Sequence, residues 1–175
     1  MTAGILPDSK SPSHEQLNSL LEHYQHGRFN DAEKLALSIT QEFPTHPFGW
    51  KVLGALFGQS SRYSEAVNAN QTAVSLSPQD AEVHNNLGNT LKELDRLEEA
   101  EASYRQALAL KPDYSEAHSS LGVMLQELGR LEEAEVSYRQ AIVLAPDYAE
   151  AHSNLGFTLQ ELSRLEEAEA SHRQA

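Results

Sequence analysis

Apolar residues recur along this chain at helical spacing. Between residues 81 and 114, Val83, Leu87, Leu91 and Leu94 fall four, four and three apart, one stripe of a 3.6-residue helix. Past a short turn at Asp95-Arg96, Leu97, Ala100, Tyr104, Ala107 and Leu108 form a second stripe. Polar residues fill the remaining faces, so the segment predicts two amphipathic helices packed against each other. Pro112 closes the second helix, because its ring cannot continue one. Asp113 and Glu116, like Asp147 and Glu150, have the spacing of an N-cap and its reciprocal carboxylate, which predicts a capping box at the start of the next helix. Gly27 and Gly129 mark the turn between paired helices, where a positive φ costs glycine little.

The pattern then repeats. Pro44, Pro78, Pro112 and Pro146 are spaced 34 residues apart, as are Ala32, Ala66, Ala100, Ala134 and Ala168. Gly54, Gly88, Gly122 and Gly156 keep the same interval, with Leu20 in that phase in the earliest copy. About two-thirds of positions match between residues 81–114 and 115–148, far beyond chance at a fixed period. The copies run 13–46, 47–80, 81–114, 115–148 and a truncated 149–175, preceded by a flexible leader at 1–12. The chain stops inside the second helix of its last copy, at Arg173-Gln174-Ala175, which predicts that it is cut from a longer array. The fold class is all-α, built of antiparallel helix pairs that bury their apolar faces by stacking.

Trp50, Leu53, Gly54, Phe57, Ala66, Ala73 and Pro78 follow the tetratricopeptide signature, as do His84, Leu87, Gly88, Leu91, Ala100, Tyr104, Ala107 and Pro112. The chain therefore resembles the tetratricopeptide repeat family over residues 13–175. The first copy departs most, with Gln16, Ser19 and Leu20 at the aromatic, Leu and Gly positions. The resemblance implies a right-handed superhelical solenoid whose first helices line a concave groove for protein partners. That face maps onto Lys51, Asn85, Asn86, Asn89, Lys92, Ser119, Ser120, Gln126, Ser153, Asn154 and Gln160. Asn86 and Asn154 share one phase, with Ser120 between them and Val52 before. This is similar to the asparagine ladder of O-linked N-acetylglucosamine transferases, which grips the backbone of an extended peptide. An amide suits that task, since it offers both donor and acceptor.

The carboxylate clamp of chaperone-binding relatives is not matched, because Ala55, Glu116 and Ser120 stand where Asn, Lys and Arg are needed. Glu82, Glu116 and Glu150 instead predict a rim for neutral or basic peptides. Near-identical copies of this type also resemble the arms of bacterial transferases, so a substrate-presenting arm of a glycosyltransferase or sulfotransferase is the alternative to a scaffold. Self-association through the uncapped C-terminal end is a further expectation.

Composition narrows the chemistry. The 175 residues carry 13 basic and 26 acidic side chains, a net charge of -13, which repels nucleic acid and anionic membranes. Residues 1–80 hold 5 basic and 8 acidic side chains and residues 81–175 hold 8 and 18, so acidity belongs to the near-identical copies. There is no cysteine, hence no disulfide and no thiolate metal site. No signal peptide or membrane span is read, which predicts a cytoplasmic protein.

His84, His118 and His152 suggest metal binding at first sight. At one repeat apart they are expected to lie about 8–10 Å from one another, too far to share an ion, so helix-pair packing is predicted. The runs Glu98-Glu99, Glu132-Glu133 and Glu166-Glu167 open second helices, where negative charge suits the macrodipole. Glu101 with Arg105, Glu135 with Arg139 and Glu169 with Arg173 have the spacing of i,i+4 pairs. No cofactor, metal or catalytic residue is predicted in this segment.

Overall fold

In a computed structural model, which describes residues 11–175, the chain is helical throughout. Its helices are α1 (His14–Gln25), α2 (Phe29–Glu42), α3 (Pro47–Gln59), α4 (Tyr63–Leu76), α5 (Ala81–Glu93), α6 (Leu97–Leu110), α7 (Ser115–Glu127), α8 (Leu131–Leu144), α9 (Ala149–Glu161) and α10 (Leu165–His172). No strand occurs among the described residues. Of the expected leader, all but Ser11 and Pro12 lies outside them. Two compact units form, one ending at Pro78 and one beginning at Gln79. The first holds α1 to α4 and the second α5 to α10. Within each, every odd-numbered helix packs on the even one that follows, and each pair stacks on the next.

The tight turn inside each pair has one backbone solution. Gly27 and Gly129 both sit at φ +70°, and Ser61, Asp95 and Ser163 hold the same register position at φ 59°, 57° and 60°. The next residue donates its N–H back five positions: Arg28 to His23, Arg62 to Phe57, Arg96 to Leu91, Arg130 to Leu125 and Arg164 to Leu159, at 2.8 to 3.0 Å. This is a Schellman closure, which satisfies carbonyls the helix end would otherwise leave bare. Glycine marked only two of the five turns in the sequence because Ser and Asp tolerate the same conformation at modest cost.

The next helix starts differently from the capping-box expectation. α7 and α9 are preceded by Tyr114 and Tyr148, neither of which makes a side-chain cap bond, and Glu116 and Glu150 are second residues of their helices rather than third. A carboxylate there cannot reach back to the cap N–H. The capping box that does form is at α1, where Ser13 and Gln16 bond each other's backbone.

Close packing inside each pair depends on one size-matched couple. A Cβ on Gly88 would meet the Tyr104 ring at 2.7 Å, and one on Gly122 would meet Tyr138 at 2.7 Å. Gly54 faces Asn70 and Gly156 faces His172 in the same way. Sixteen residues separate the partners every time. In the first pair the sizes reverse: Leu20 stands in the glycine position and Ala36 in the aromatic one, both fully buried in one apolar cluster.

The outer edges of the second helices carry a repeated arginine clasp. Arg130 bonds Glu133 at 2.7 Å and Glu101 of the preceding pair at 2.9 and 3.0 Å. Arg164 does the same with Glu167 and Glu135, and Arg62 with Glu65 and Glu33. The predicted i,i+4 pairs also form, with Glu101–Arg105 at 2.5 Å, Glu135–Arg139 at 2.9 Å and Glu169–Arg173 in contact. Hydrogen bonds from their arginines hold the Glu65, Glu99, Glu133 and Glu167 carboxyls below the ordinary carboxylate range. A depressed folded-state pKa stabilises above the unfolded value and loses that contribution as pH falls through the folded one. Thermal unfolding followed by circular dichroism is therefore expected to show a midpoint that drops below about pH 4.5. Arg130→Ala is expected to lower the midpoint at neutral pH and to flatten its acid slope; an unchanged slope would remove the clasp from the acid response.

Candidate functional site

The first helices of the second unit, α5, α7 and α9, present one face with two adjoining depressions. The first, about 210 Å³, is lined by Asn89, Lys92, Ser119 and Ser120 together with Tyr104 and Tyr148. The second, about 340 Å³, is lined by Gln126, Glu127, Tyr138, Asn154 and Glu161. Val123 belongs to both. Both depressions adjoin the size-matched couples, because the tyrosine that packs on glycine also reaches the floor with its hydroxyl.

The floor is a hydrogen-bonded lattice. Tyr104 donates to Asn89 Oδ1 at 2.8 Å, while Gln126 Oε1 accepts from Tyr138 at 3.2 Å and from Thr158 at 3.1 Å. Gln126 Nε2 donates to Glu161 at 3.1 Å, and Lys92 Nζ to Glu127 at 3.2 Å. Burial pushes the Tyr104 and Tyr138 hydroxyls well above the ordinary tyrosine range, Glu127 adding to both, so they act as donors at any ordinary pH. Burial acts to lower the Lys92 ammonium pKa, but Glu93 and Glu127 together raise it above its usual value.

The predicted site residues divide by this lattice. Asn89, Lys92 and Gln126 are tied into it, and Gln160 bonds His172 at 3.2 Å. Asn85 and Ser119 are buried, 5% and 2% exposed. Asn86, Ser120, Ser153 and Asn154 are half-buried, and their side chains make no hydrogen bond among the described residues. Lys51 lies on α3 in the first unit. Sequence reasoning missed Val123 and Phe157, which continue the phase of Asn89 at 34-residue intervals. Phe157 is 51% exposed, with its ring 5.0 Å from that of His172. It also missed Tyr114 and Tyr148, whose equal spacing was the available signal.

The histidines have a structural partner. His118 Nε2 lies 3.0 Å from the Pro112 carbonyl and His152 Nε2 2.9 Å from that of Pro146. Trp50 Nε1 donates to the Pro44 carbonyl at 2.9 Å in the same register. Proline carbonyls accept, so each imidazole carries its proton on Nε2. No group of three or more His, Asp or Glu side chains with metal-site geometry occurs among the described residues. Nor does any described helix have the length and apolarity to cross a membrane.

Comparison with solved structures agrees with this architecture. A thermophilic TPR protein of Thermus thermophilus, TTC0263, is similar at 25% identity and a TM-score of 0.78, over 92% of this chain and 88% of that one. PilF of Pseudomonas aeruginosa is similar at 18% identity and a TM-score of 0.82, over 91% and 73%. MamA from Desulfovibrio magneticus RS-1 is similar at 18% identity and a TM-score of 0.78, over 91% and 90%. At the identities of the last two, the likeness is one of fold. No curated protein sequence matches the chain. The model of the TPR repeat matches residues 54–95, 88–129 and 124–163, each running from inside one first helix to just past the end of the next. Those overlapping matches span well over half of the sequence, and the chain belongs to the tetratricopeptide repeat family.

Proposed function

We propose that the face of α5, α7 and α9 binds an extended peptide segment of a protein partner, neutral or basic in charge. The carrying observation is the row Asn86, Ser120 and Asn154, spaced 34 residues apart and uncommitted among the described residues, beside a floor of paired polar groups. Paired floor groups hold the surface in place, while the uncommitted row supplies donors and acceptors for peptide units. Glu82, Glu116 and Glu150 along the helix starts disfavour acidic partners. Whether the chain works as a free scaffold or as the arm of a larger transferase changes what the groove delivers, not how it grips.

Binding to an array of short peptides tests the reading. Each lost hydrogen bond of this kind is worth about 1 kcal/mol, so the triple change Asn86→Ala, Ser120→Ala, Asn154→Ala is expected to weaken the best binders about tenfold or more. Gln140→Ala, exposed on α8, is the control and leaves affinity unchanged. Equal affinity of the triple variant and the parent would sink the proposal.

A further inference from the structure

Another concavity of the second unit shares no residue with the two depressions. It encloses about 400 Å³ between α8 and α10, over α9, and its apolar lining includes Ile142, Val143, Leu155, Leu159 and Ala170. Arg139 of α8 and Glu167 of α10 both line it and bond each other at 3.1 Å, which ties its two walls together. Val143 is 72% exposed, and Val136, seven residues earlier on the same stripe of α8, is 69% exposed. No large apolar side chain among the described residues is more exposed than these two.

The valines are peculiar to this copy. The equivalent positions hold Lys34 and Gln41 in α2, Asn68 and Ser75 in α4, and Ala102 and Ala109 in α6. Only four residues differ between 97–112 and 131–146, and valine for alanine at 136 and 143 makes two of them. A third puts Ala145 where Lys111 stands, which leaves that end of α8 without the cation. α6 packs on α5 with alanine at both places, so packing does not call for valine, a poorer helix former. The same stripes begin in acid. Glu132 lies one turn before Val136 and Glu166 one turn before Ala170; both are exposed, and neither side chain makes a hydrogen bond or ion pair among the described residues.

We propose that α8 and α10 dock a basic amphipathic helix of a partner protein, its apolar side chains against Val136 and Val143 and its Lys or Arg side chains opposite Glu132 and Glu166. The two valines are a rise of about 10 Å apart, which a second helix matches with residues of the same seven-residue spacing. A helix suits the place because α8 and α10 leave a groove between them into which the side-chain ridge of a third helix fits. An acidic helix would meet the two uncommitted carboxylates with like charge. The surface is separate from the face of α5, α7 and α9, so this inference and the peptide-binding reading stand or fall independently.

The test uses the whole chain and three synthetic peptides of equal length. One is a leucine–lysine helix with its leucines on a single face, one has the same composition scrambled so that no such face forms, and one carries glutamate in place of lysine. Titration followed by nuclear magnetic resonance reads affinity and the valine methyl groups together. The leucine–lysine helix is expected to bind about tenfold tighter or more than either other peptide and to shift the Val136 and Val143 methyl signals. Val136→Ala with Val143→Ala, the residues α6 carries, keeps the charge and the fold and is expected to weaken binding about tenfold. Glu132→Gln with Glu166→Gln is expected to weaken it about threefold and to flatten its salt dependence. The proposal is overturned if the leucine–lysine helix does not bind, if the scrambled peptide binds equally, or if affinity is unchanged in either double variant. Methyl shifts confined to Val123 also overturn it, since the peptide then lies on the other face. A parent chain that sediments as a dimer, with the double alanine variant a monomer, overturns it by assigning the surface to a second copy.

Discussion

Gly88→Leu and Tyr104→Ala, each damaging alone, are expected to compensate when combined. Leucine at position 88 has no room, since even its Cβ would meet the Tyr104 ring at 2.7 Å, and overpacking of this kind costs about 1–3 kcal/mol. Tyr104→Ala empties a site with no solvent exposure and removes the donor to Asn89, a loss of about 3–5 kcal/mol. The double variant places a large side chain on the first helix and a small one on the second. That is the arrangement α1 and α2 already use, with Leu20 and Ala36 both fully buried. The cavity left by the ring and the volume added by the leucine occupy the same space, so the two costs do not add. Denaturant unfolding of the parent, both single variants and the double is expected to give a coupling of about 2 kcal/mol or more. A double variant that falls by the sum of the singles would show that glycine and tyrosine are not one packing unit. Gly122 and Tyr138 have the same geometry and should give the same cycle.

The helix pairs were legible in the sequence because a 34-residue period repeats every structural requirement at once. Apolar stripe, small residue, turn and proline all return in phase, so an error in one copy is corrected by the next. The size-matched couple was half legible. Glycine at positions 54, 88, 122 and 156 announced a close approach, but its partner sixteen residues on changes identity from Asn70 to Tyr104, Tyr138 and His172. Only distance shows that these dissimilar side chains fill one place. Leu20 looked like a departure from the pattern and is the same contact with its sizes exchanged.

The candidate site was harder to read for a reason specific to helices. Neighbouring positions on one face differ by a fraction of a turn, so Asn85 and Asn86 both map to the groove by phase. Burial separates them: Asn85 is 5% exposed, whereas Asn86 is half-buried with its side chain within reach of solvent. Side-chain bonding separates the rest, since Asn89 and Gln126 accept from tyrosine hydroxyls while the Asn154 side chain bonds none of the described residues. Polarity in a sequence does not say whether a group serves the fold or awaits a ligand.

The histidines carry the second large expected effect. His152→Phe keeps an aromatic ring of similar size and loses the N–H that meets the Pro146 carbonyl at 2.9 Å. The ring position is 5% exposed and the bond part-buried, so losing the donor is expected to cost about 1–3 kcal/mol. His152→Trp is expected to lose much less, because Trp50 makes the equivalent bond from Nε1 to Pro44. His118→Phe should fall between the parent and His152→Phe, since His118 is only half-buried and solvent can reach its proline carbonyl. Thermal unfolding of the three variants gives the order directly, and a phenylalanine variant as stable as the tryptophan one would assign these rings to packing alone.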